Sequence, residues 1–224
     1  DFSKNHPGGS LGKILNSSVK DFCKPWLMKN RVTTLDLISF MVENKSTAVV
    51  VKFNNKTKGI KQAIQMIKSG ANIIDLGGES TRPGSKGVNE KVEWNRLNKI
   101  IKMICNKATT SLDTRKSKIM EKGIKLGVKI INDVSGLNYD PETKNILKKY
   151  KIPFILQHSQ GIPEKMQNNP TYKNELLDIY DFFEKKIIFL RSFGIKHNNI
   201  ILDPGIGFGK NLKHNMNLIS NISI

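Results

Sequence analysis

The stretch from Ile73 to Ser85, IIDLGGESTRPGS, constrains the fold more than any other part of the chain. Apolar, extended-type residues run into two glycines and then into a polar loop with one arginine, an order typical of a buried strand that ends in a binding loop. The same order recurs downstream, with amphipathic helical patterns between the apolar runs. This alternation predicts an α/β fold with a parallel sheet covered by helices.

Polar residues at the ends of five predicted strands separate two versions of that fold. In a TIM barrel the carboxyl ends of all strands meet at one mouth, whereas a doubly wound sheet gathers its ligand groups at one switch point. Five separate strand ends with polar residues therefore favour a parallel (β/α)8 TIM barrel. The five residues are Asp75, Asp113, Asn132, His158 and Asp203.

Local patterns also predict the boundaries of the elements. The first strand is expected at 48–51, and residues 1–46 show no settled period, so we assign them no chemistry and treat 47–224 as the barrel domain. Asp140 and Pro141 predict a capped helix start. The expected helices cover about 59–67, 89–105, 115–126, 140–150 and 174–193.

The net charge of +18 raises the question of nucleic-acid binding. Only five of the 37 basic residues are arginine, and the lysines are spread evenly rather than clustered with aromatic residues. A nucleic-acid interface would cluster both. We therefore expect small anionic ligands and no nucleic-acid partner.

Two cysteines, Cys23 and Cys105, lie far apart and form neither a disulfide framework nor a zinc motif. This usage fits a reducing compartment and predicts a cytoplasmic location. No apolar run is long enough to span a bilayer, and the first residues lack the order of a signal peptide, so no membrane partner is expected.

Asp113, Asn132 and Asp203 share one chemical property that points to a ligand. Carboxylates only accept hydrogen bonds, whereas a carboxamide both donates and accepts, so together they match the amino-pyrimidinone edge of a fused heterocycle. Glycines in the segment 203–210 would let the backbone approach a flat ligand, and Phe208 offers a packing face.

Other residues near the predicted mouth have open roles. Arg82 is the natural partner of an anionic group. Asp75 either caps the mouth or binds the ligand, and His158 is either a hydrogen-bonded wall residue or an acid–base group. Glu79 is expected to be structural, and Lys210 is expected at a helix start or on the surface.

Five segments, in their order and approximate spacing, resemble the dihydropteroate synthase family over about three quarters of the chain. They are residues 73–84, 111–114 and 131–135, His158 with 160–161, and residues 203–210. The resemblance implies a (β/α)8 barrel that joins para-aminobenzoate to 6-hydroxymethyl-7,8-dihydropterin pyrophosphate, giving 7,8-dihydropteroate and pyrophosphate in folate biosynthesis.

The resemblance also implies roles for individual residues. Asp113, Asn132 and Asp203 resemble the pterin-binding residues, and Asp113 and Asp203 would stabilise positive charge that develops during the reaction. The para-aminobenzoate pocket would be formed by Thr81, Arg82, Pro83, Gly207 and Phe208. Mg²⁺ on the leaving pyrophosphate and a homodimer are further expectations, with the metal ligands unassigned.

Departures from the family pattern leave two alternatives open. The family's metal-binding loop after strand 1 is not legible in 47–53, and two further strands with basic residues are expected after position 208. We therefore expect a barrel without strands 7 and 8, with a divergent strand 1 region and little turnover by this chain alone. The alternatives are a non-catalytic or decayed pterin-binding fragment and a pterin-binding barrel that serves methyl transfer.

Overall fold

The structure is a computed structural model that describes residues 49–50, 56–81 and 84–221. The segment 1–46, which the sequence left without a role, lies outside the described residues. Arg82 and Pro83, two of the residues expected to bind para-aminobenzoate, also lie outside them.

In the part of the chain that the structure describes, six strands form one parallel sheet and follow one another in the sheet in their order along the chain. Each strand pairs with the next one along the chain, as in a barrel, whereas a doubly wound sheet reverses its strand order at a switch point. The strands are β1 (Val49–Val50), β2 (Ile73–Gly77), β3 (Thr109–Asp113), β4 (Ile130–Asp133), β5 (Phe154–Gln157) and β6 (Ile200–Asp203).

Helices alternate with the strands as predicted, and most boundaries agree within a few residues. Asn89 and Asn174 each cap the helix that follows them by accepting hydrogen bonds from backbone N–H groups of its first turn. The helices are α1 (Lys56–Lys68), α2 (Glu90–Ile104), α3 (Ser117–Lys125), α4 (Thr143–Tyr150), α5 (Glu175–Ser192) and α6 (Leu212–Ser220).

The predicted cap of α4 is wrong. Helix α4 begins at Thr143 rather than at Pro141, and its N-cap Glu142 makes no side-chain capping bond. Asp140 instead accepts hydrogen bonds from the backbone N–H groups of Ser117 and Glu142, at 2.8 and 2.9 Å. Its carboxylate therefore joins the start of α3 to the turn before α4, a tertiary contact that a local pattern does not reveal.

The two faces of the sheet differ in polarity because successive strand residues point to opposite sides. Alternate residues that include Leu76, Leu112, Ile131 and Phe154 are fully buried and pack beneath the helices. The residues between them form the inner face, which ends in polar side chains at the carboxyl edge of the sheet. The apolar core thus lies between sheet and helices, and the polar row lies inside the barrel.

Gly123 on α3 provides a test of this packing. A Cβ atom at this position would lie 2.4 Å from Leu112 Cδ2 and 3.3 Å from Val128 Cγ2. We expect Gly123→Ala to lower the free energy of unfolding, since overpacking costs about 1–3 kcal/mol and outweighs a helix-propensity gain of about 1 kcal/mol.

Urea unfolding of Gly123→Ala, Leu112→Val and the double variant measures the effect. The loss caused by Gly123→Ala should be smaller in the Leu112→Val background, because the clashing methyl group is then removed. A stabilising Gly123→Ala variant would show that the α3–β3 contact is looser than described.

Candidate active site

Polar residues at the carboxyl edge of the sheet lie on one face. The register pairs Asp113 with Gly77 and Asn132, and Gln157 with Asp203. Every second residue shares a face, so these side chains point into the barrel together with Asp75. The inner polar row therefore consists of Asp75, Asp113, Asn132, Gln157 and Asp203.

Asp75 lies deeper than the sequence suggested. It is the third residue of β2 rather than its last, and it pairs in register with Ser111. Asn132 Nδ2 donates a hydrogen bond to Asp75 Oδ2 at 3.3 Å. Gly77 makes room above it, since a Cβ there would lie 3.3 Å from Asp113 Oδ2. The mouth thus has two layers of carboxylates, with Asp75 below Asp113.

Several buried polar atoms of this row have no hydrogen-bond partner among the described residues. Three are acceptors, the Oδ1 atoms of Asp75, Asp113 and Asn132, and one is a donor, Gln157 Nε2. An unpaired buried polar group costs about 1–3 kcal/mol, so such groups are uncommon unless a ligand uses them. Together with Ser111 Oγ, a further unpaired atom on the same face, these three acceptors and one donor are suited to a flat ligand with several N–H groups and a carbonyl.

Electrostatics support the same conclusion. Burial raises the pKa of Asp113 well above its usual range, and the nearby carboxylates, Asp75 foremost, raise it further. Burial also raises the pKa of Asp75, against the opposing effects of Ser111 and Asn132. A ligand that brings N–H donors or positive charge would stabilise the ionised carboxylates.

The turn after β6 packs tightly onto the end of β5. Asp203 Oδ1 accepts a hydrogen bond from Gly205 N at 2.7 Å, and burial raises the pKa of Asp203. Gly205 has a φ of +67°, and a Cβ there would lie 2.0 Å from His158 O. Only glycine satisfies both requirements without moving the backbone.

Lys210 precedes the N-cap of α6, as one of the two expectations had it, but it is buried against His158, so the surface alternative is wrong. Its Nζ lies 3.0 Å from His158 Nδ1 and donates to Phe208 O at 3.0 Å. Burial lowers the pKa of Lys210 to about 8. Burial and the charge of Lys210 lower the pKa of His158 to about 4, which places a neutral histidine in the wall of the site.

The described residues of the expected para-aminobenzoate pocket lie on two loops. Thr81 is buried on the loop after β2, whereas Gly207 and Phe208 are partly exposed on the turn after β6. The loop after β5 contacts both regions, because Gly84 N donates to Pro163 O at 3.0 Å and Gln167 Nε2 donates to Gly207 O. The loop after β5 therefore joins the two sides of the mouth.

Comparisons with known proteins agree with this arrangement. The family described as "Pterin binding enzyme" matches residues 43–224. The dihydropteroate synthase of Clostridium beijerinckii is 39% identical over 173 residues, which are 76% of this chain and 62% of that protein.

Solved structures give the same result. The dihydropteroate synthase of Anaplasma phagocytophilum with bound 6-hydroxymethylpterin-monophosphate has a TM-score of 0.72 and 31% identity, covering 78% of this chain and 71% of that one. The enzyme of Xanthomonas albilineans with 4-aminobenzoic acid has a TM-score of 0.70 and 26% identity, covering 76% and 61%.

The chain belongs to the pterin-binding enzyme family. The predicted resemblance to dihydropteroate synthase and the predicted TIM-barrel class are thereby confirmed, and the described part of this family member supplies six of the barrel's eight strands. The chain spans about 62% of the length of the Clostridium relative. No helix in the described ranges is long and apolar enough to cross a membrane.

The sequence did not reveal a buried set of four charged residues beside the mouth of the barrel. We name this set the ionic quartet; it consists of Glu79, Glu93, Arg115 and Lys116. Glu79 pairs with both Arg115 and Lys116, and Lys116 Nζ lies 2.5 Å from Glu93 Oε2. The expected structural role of Glu79 agrees with these contacts. The two negative and two positive charges of the quartet balance one another. Removing one member would therefore leave a buried charge unpaired.

The titration of His158 provides a test of the wall of this site. Its pKa in the folded protein is about 4, below the ordinary value of 6.5, so the unfolded chain takes up the proton first as the pH falls. Relative to His158→Gln, the wild type should lose stability from about pH 6.5 down to pH 4, on the order of 3 kcal/mol.

Chemical unfolding of both proteins between pH 4 and pH 8 measures this difference. The buried carboxylates titrate in both proteins, so their contribution cancels in the comparison. Parallel stability curves would mean that His158 is exposed to solvent in the folded state.

Proposed function

We propose that the full protein is a dihydropteroate synthase. It would condense 6-hydroxymethyl-7,8-dihydropterin pyrophosphate with para-aminobenzoate, releasing pyrophosphate and forming 7,8-dihydropteroate for folate biosynthesis. In this reaction the amine nitrogen forms a bond to the pterin methylene carbon. The bond from that carbon to the pyrophosphate oxygen breaks, and the amine loses a proton.

The unpaired polar atoms of the inner row carry this proposal. A pterin presents an amino group and a ring N–H as donors beside a carbonyl acceptor. The Oδ1 atoms of Asp75, Asp113 and Asn132 can accept from such donors, and Gln157 Nε2 can donate to a carbonyl. The solved relatives support the same ligand classes, since one holds 6-hydroxymethylpterin-monophosphate and another 4-aminobenzoic acid.

The residues of this chain would act mainly by binding and orientation. Asp113 and Asp203 lie on separate strands and would hold the pterin ring, and their carboxylates would stabilise positive charge as the pyrophosphate leaves. Because an aromatic amine is a weak nucleophile, fixing its nitrogen near the methylene carbon would contribute much of the rate. Thr81, Gly207 and Phe208 would line the para-aminobenzoate side, with Arg82 and Pro83.

The metal remains a proposal without an assigned site. Among residues 49–50, 56–81 and 84–221, no three histidine, cysteine or acidic side chains are placed to hold an ion. Mg²⁺ commonly uses one or two carboxylates together with substrate phosphates. We therefore propose that Mg²⁺ enters with the pyrophosphate of the substrate.

A homodimer and a cytoplasmic location also remain predictions. The location rests on the absence of a disulfide framework from the sequence, which fits a reducing compartment.

Ligand-induced stabilisation tests the pterin site. At about 100 times its Kd, dihydropterin pyrophosphate should raise the melting temperature of the chain by about 5–10 °C. Asp113→Asn and Asp203→Asn should each at least halve this shift, since a lost charged hydrogen bond is worth about 1.5–3 kcal/mol. Differential scanning fluorimetry with and without ligand measures the shift.

Asp181→Asn is the matched control, because Asp181 is exposed on α5 and does not belong to the inner row. It should retain the full shift. Equal shifts in all variants would contradict the pterin site. A full shift without dihydropteroate formation by the full-length protein would favour the non-catalytic pterin-binding alternative.

A further inference from the structure

Thr114 follows Asp113 directly and joins three elements at the mouth. Its backbone N–H donates to Asn132 O at 3.1 Å, so it ties the end of β3 to β4. Its hydroxyl donates to Glu93 Oε1 at 2.6 Å, so it also ties β3 to α2. Asp113 and Asn132, the two neighbouring residues of the inner row, are thus fixed to one another and to a helix through Thr114.

Glu93 is the rigid end of this connection. It is 0% exposed in the first turn of α2, and its other oxygen accepts from Lys116 Nζ of the ionic quartet at 2.5 Å. The backbone at Gly78 packs directly against it, since a Cβ there would lie 2.9 Å from Glu93 Cγ. Arg96 of the same helix donates to Gly78 O at 2.9 Å. The carboxylate therefore has little freedom to move.

The hydroxyl of Thr114 acts as both a hydrogen-bond donor and a hydrogen-bond acceptor. Besides donating to Glu93, its oxygen accepts from Lys116 N at 3.3 Å, which closes the turn that leads into α3. Thr114 is 2% exposed and points away from the inner row toward α2. A contact with the ligand is therefore not needed to explain its burial or its hydrogen bonds.

We propose that Thr114 is a positioning residue for the pterin site, holding Asp113 and Asn132 in register by anchoring the ends of β3 and β4 to Glu93. This inference rests on the proposed function for its ligand. The hydroxyl, rather than the size of the side chain, carries the effect. Thr114 acts through Asp113 and Asn132 and does not itself contact the pterin.

Isosteric variants separate positioning from packing. Thr114→Val keeps the shape and removes the hydroxyl, whereas Thr114→Ser keeps the hydroxyl. Thr110→Val is the matched control, because Thr110 is 0% exposed at the start of the same strand and its hydroxyl donates to Ala108 O at 3.3 Å, near Cys105 rather than near Glu93. Both sites lie on or next to β3.

Calorimetric titration with dihydropterin pyrophosphate gives the first measurement. Thr114→Val should bind about tenfold more weakly than the wild type, whereas Thr114→Ser and Thr110→Val should bind within about twofold of it. Thr114→Val binding within twofold, or an equal loss in Thr110→Val, would overturn the inference. A wild type that does not bind would contradict the proposed function instead.

Hydrogen exchange on the ligand-free chain gives a second measurement that does not depend on the proposed function. Each variant is measured at the same interval below its own melting temperature. Under this condition, amides in 113–116 and 130–134 should exchange about tenfold faster in Thr114→Val than in Thr110→Val. Equal exchange in the two variants would overturn the positioning role whether or not the ligand binds. If Thr114→Val does not fold, Thr114→Ala is compared with Thr114→Ser by the same criteria.

Discussion

A shift of one residue in the register of a strand would turn its inner polar side chain toward the helices and bring an apolar one into the barrel. The site depends on this register, because Asp113 and Asn132 lie side by side only while β3 and β4 stay in register. Apolar packing on the outer face enforces it, since Leu112, Ile131 and Phe154 are fully buried there. The same alternation therefore stabilises the fold and places the carboxylates in one row.

Crowding carboxylates at one edge of a sheet has a cost, and the acids beside the inner row are paired with buried cations. Burial raises the pKa of both Asp75 and Asp113, and the charge of Asp75 raises the pKa of Asp113 further. Arg115 and Lys116 lie just beyond, where they neutralise Glu79 and Glu93. The carboxylates of the inner row keep acceptor atoms for a ligand, while the acids of the ionic quartet are paired. The same region of the protein thus contains carboxylates with free acceptor atoms and, beside them, carboxylates that are used in buried ion pairs.

The large positive charge of the chain has little part in this arrangement. The cations that shape the mouth are few and buried, namely Arg115, Lys116 and Lys210. The position of each of these residues in the fold sets its role. The net charge of +18 therefore does not predict which basic residues are buried at the mouth. The buried acceptors and the buried donor of the inner row are of a size and chemistry that suit a small ligand.

The sequence by itself determined the fold class, most helix boundaries and four residues of the inner row, Asp75, Asp113, Asn132 and Asp203. These follow from local order, since apolar runs, helix periodicity and the polar residues after them are neighbours in the chain. Tertiary structure alone decided the depth of Asp75, the burial of Lys210 and the ionic quartet. The pairs of the quartet lie 23 to 37 positions apart. With 37 basic and 19 acidic residues available, only folding selects which of them meet.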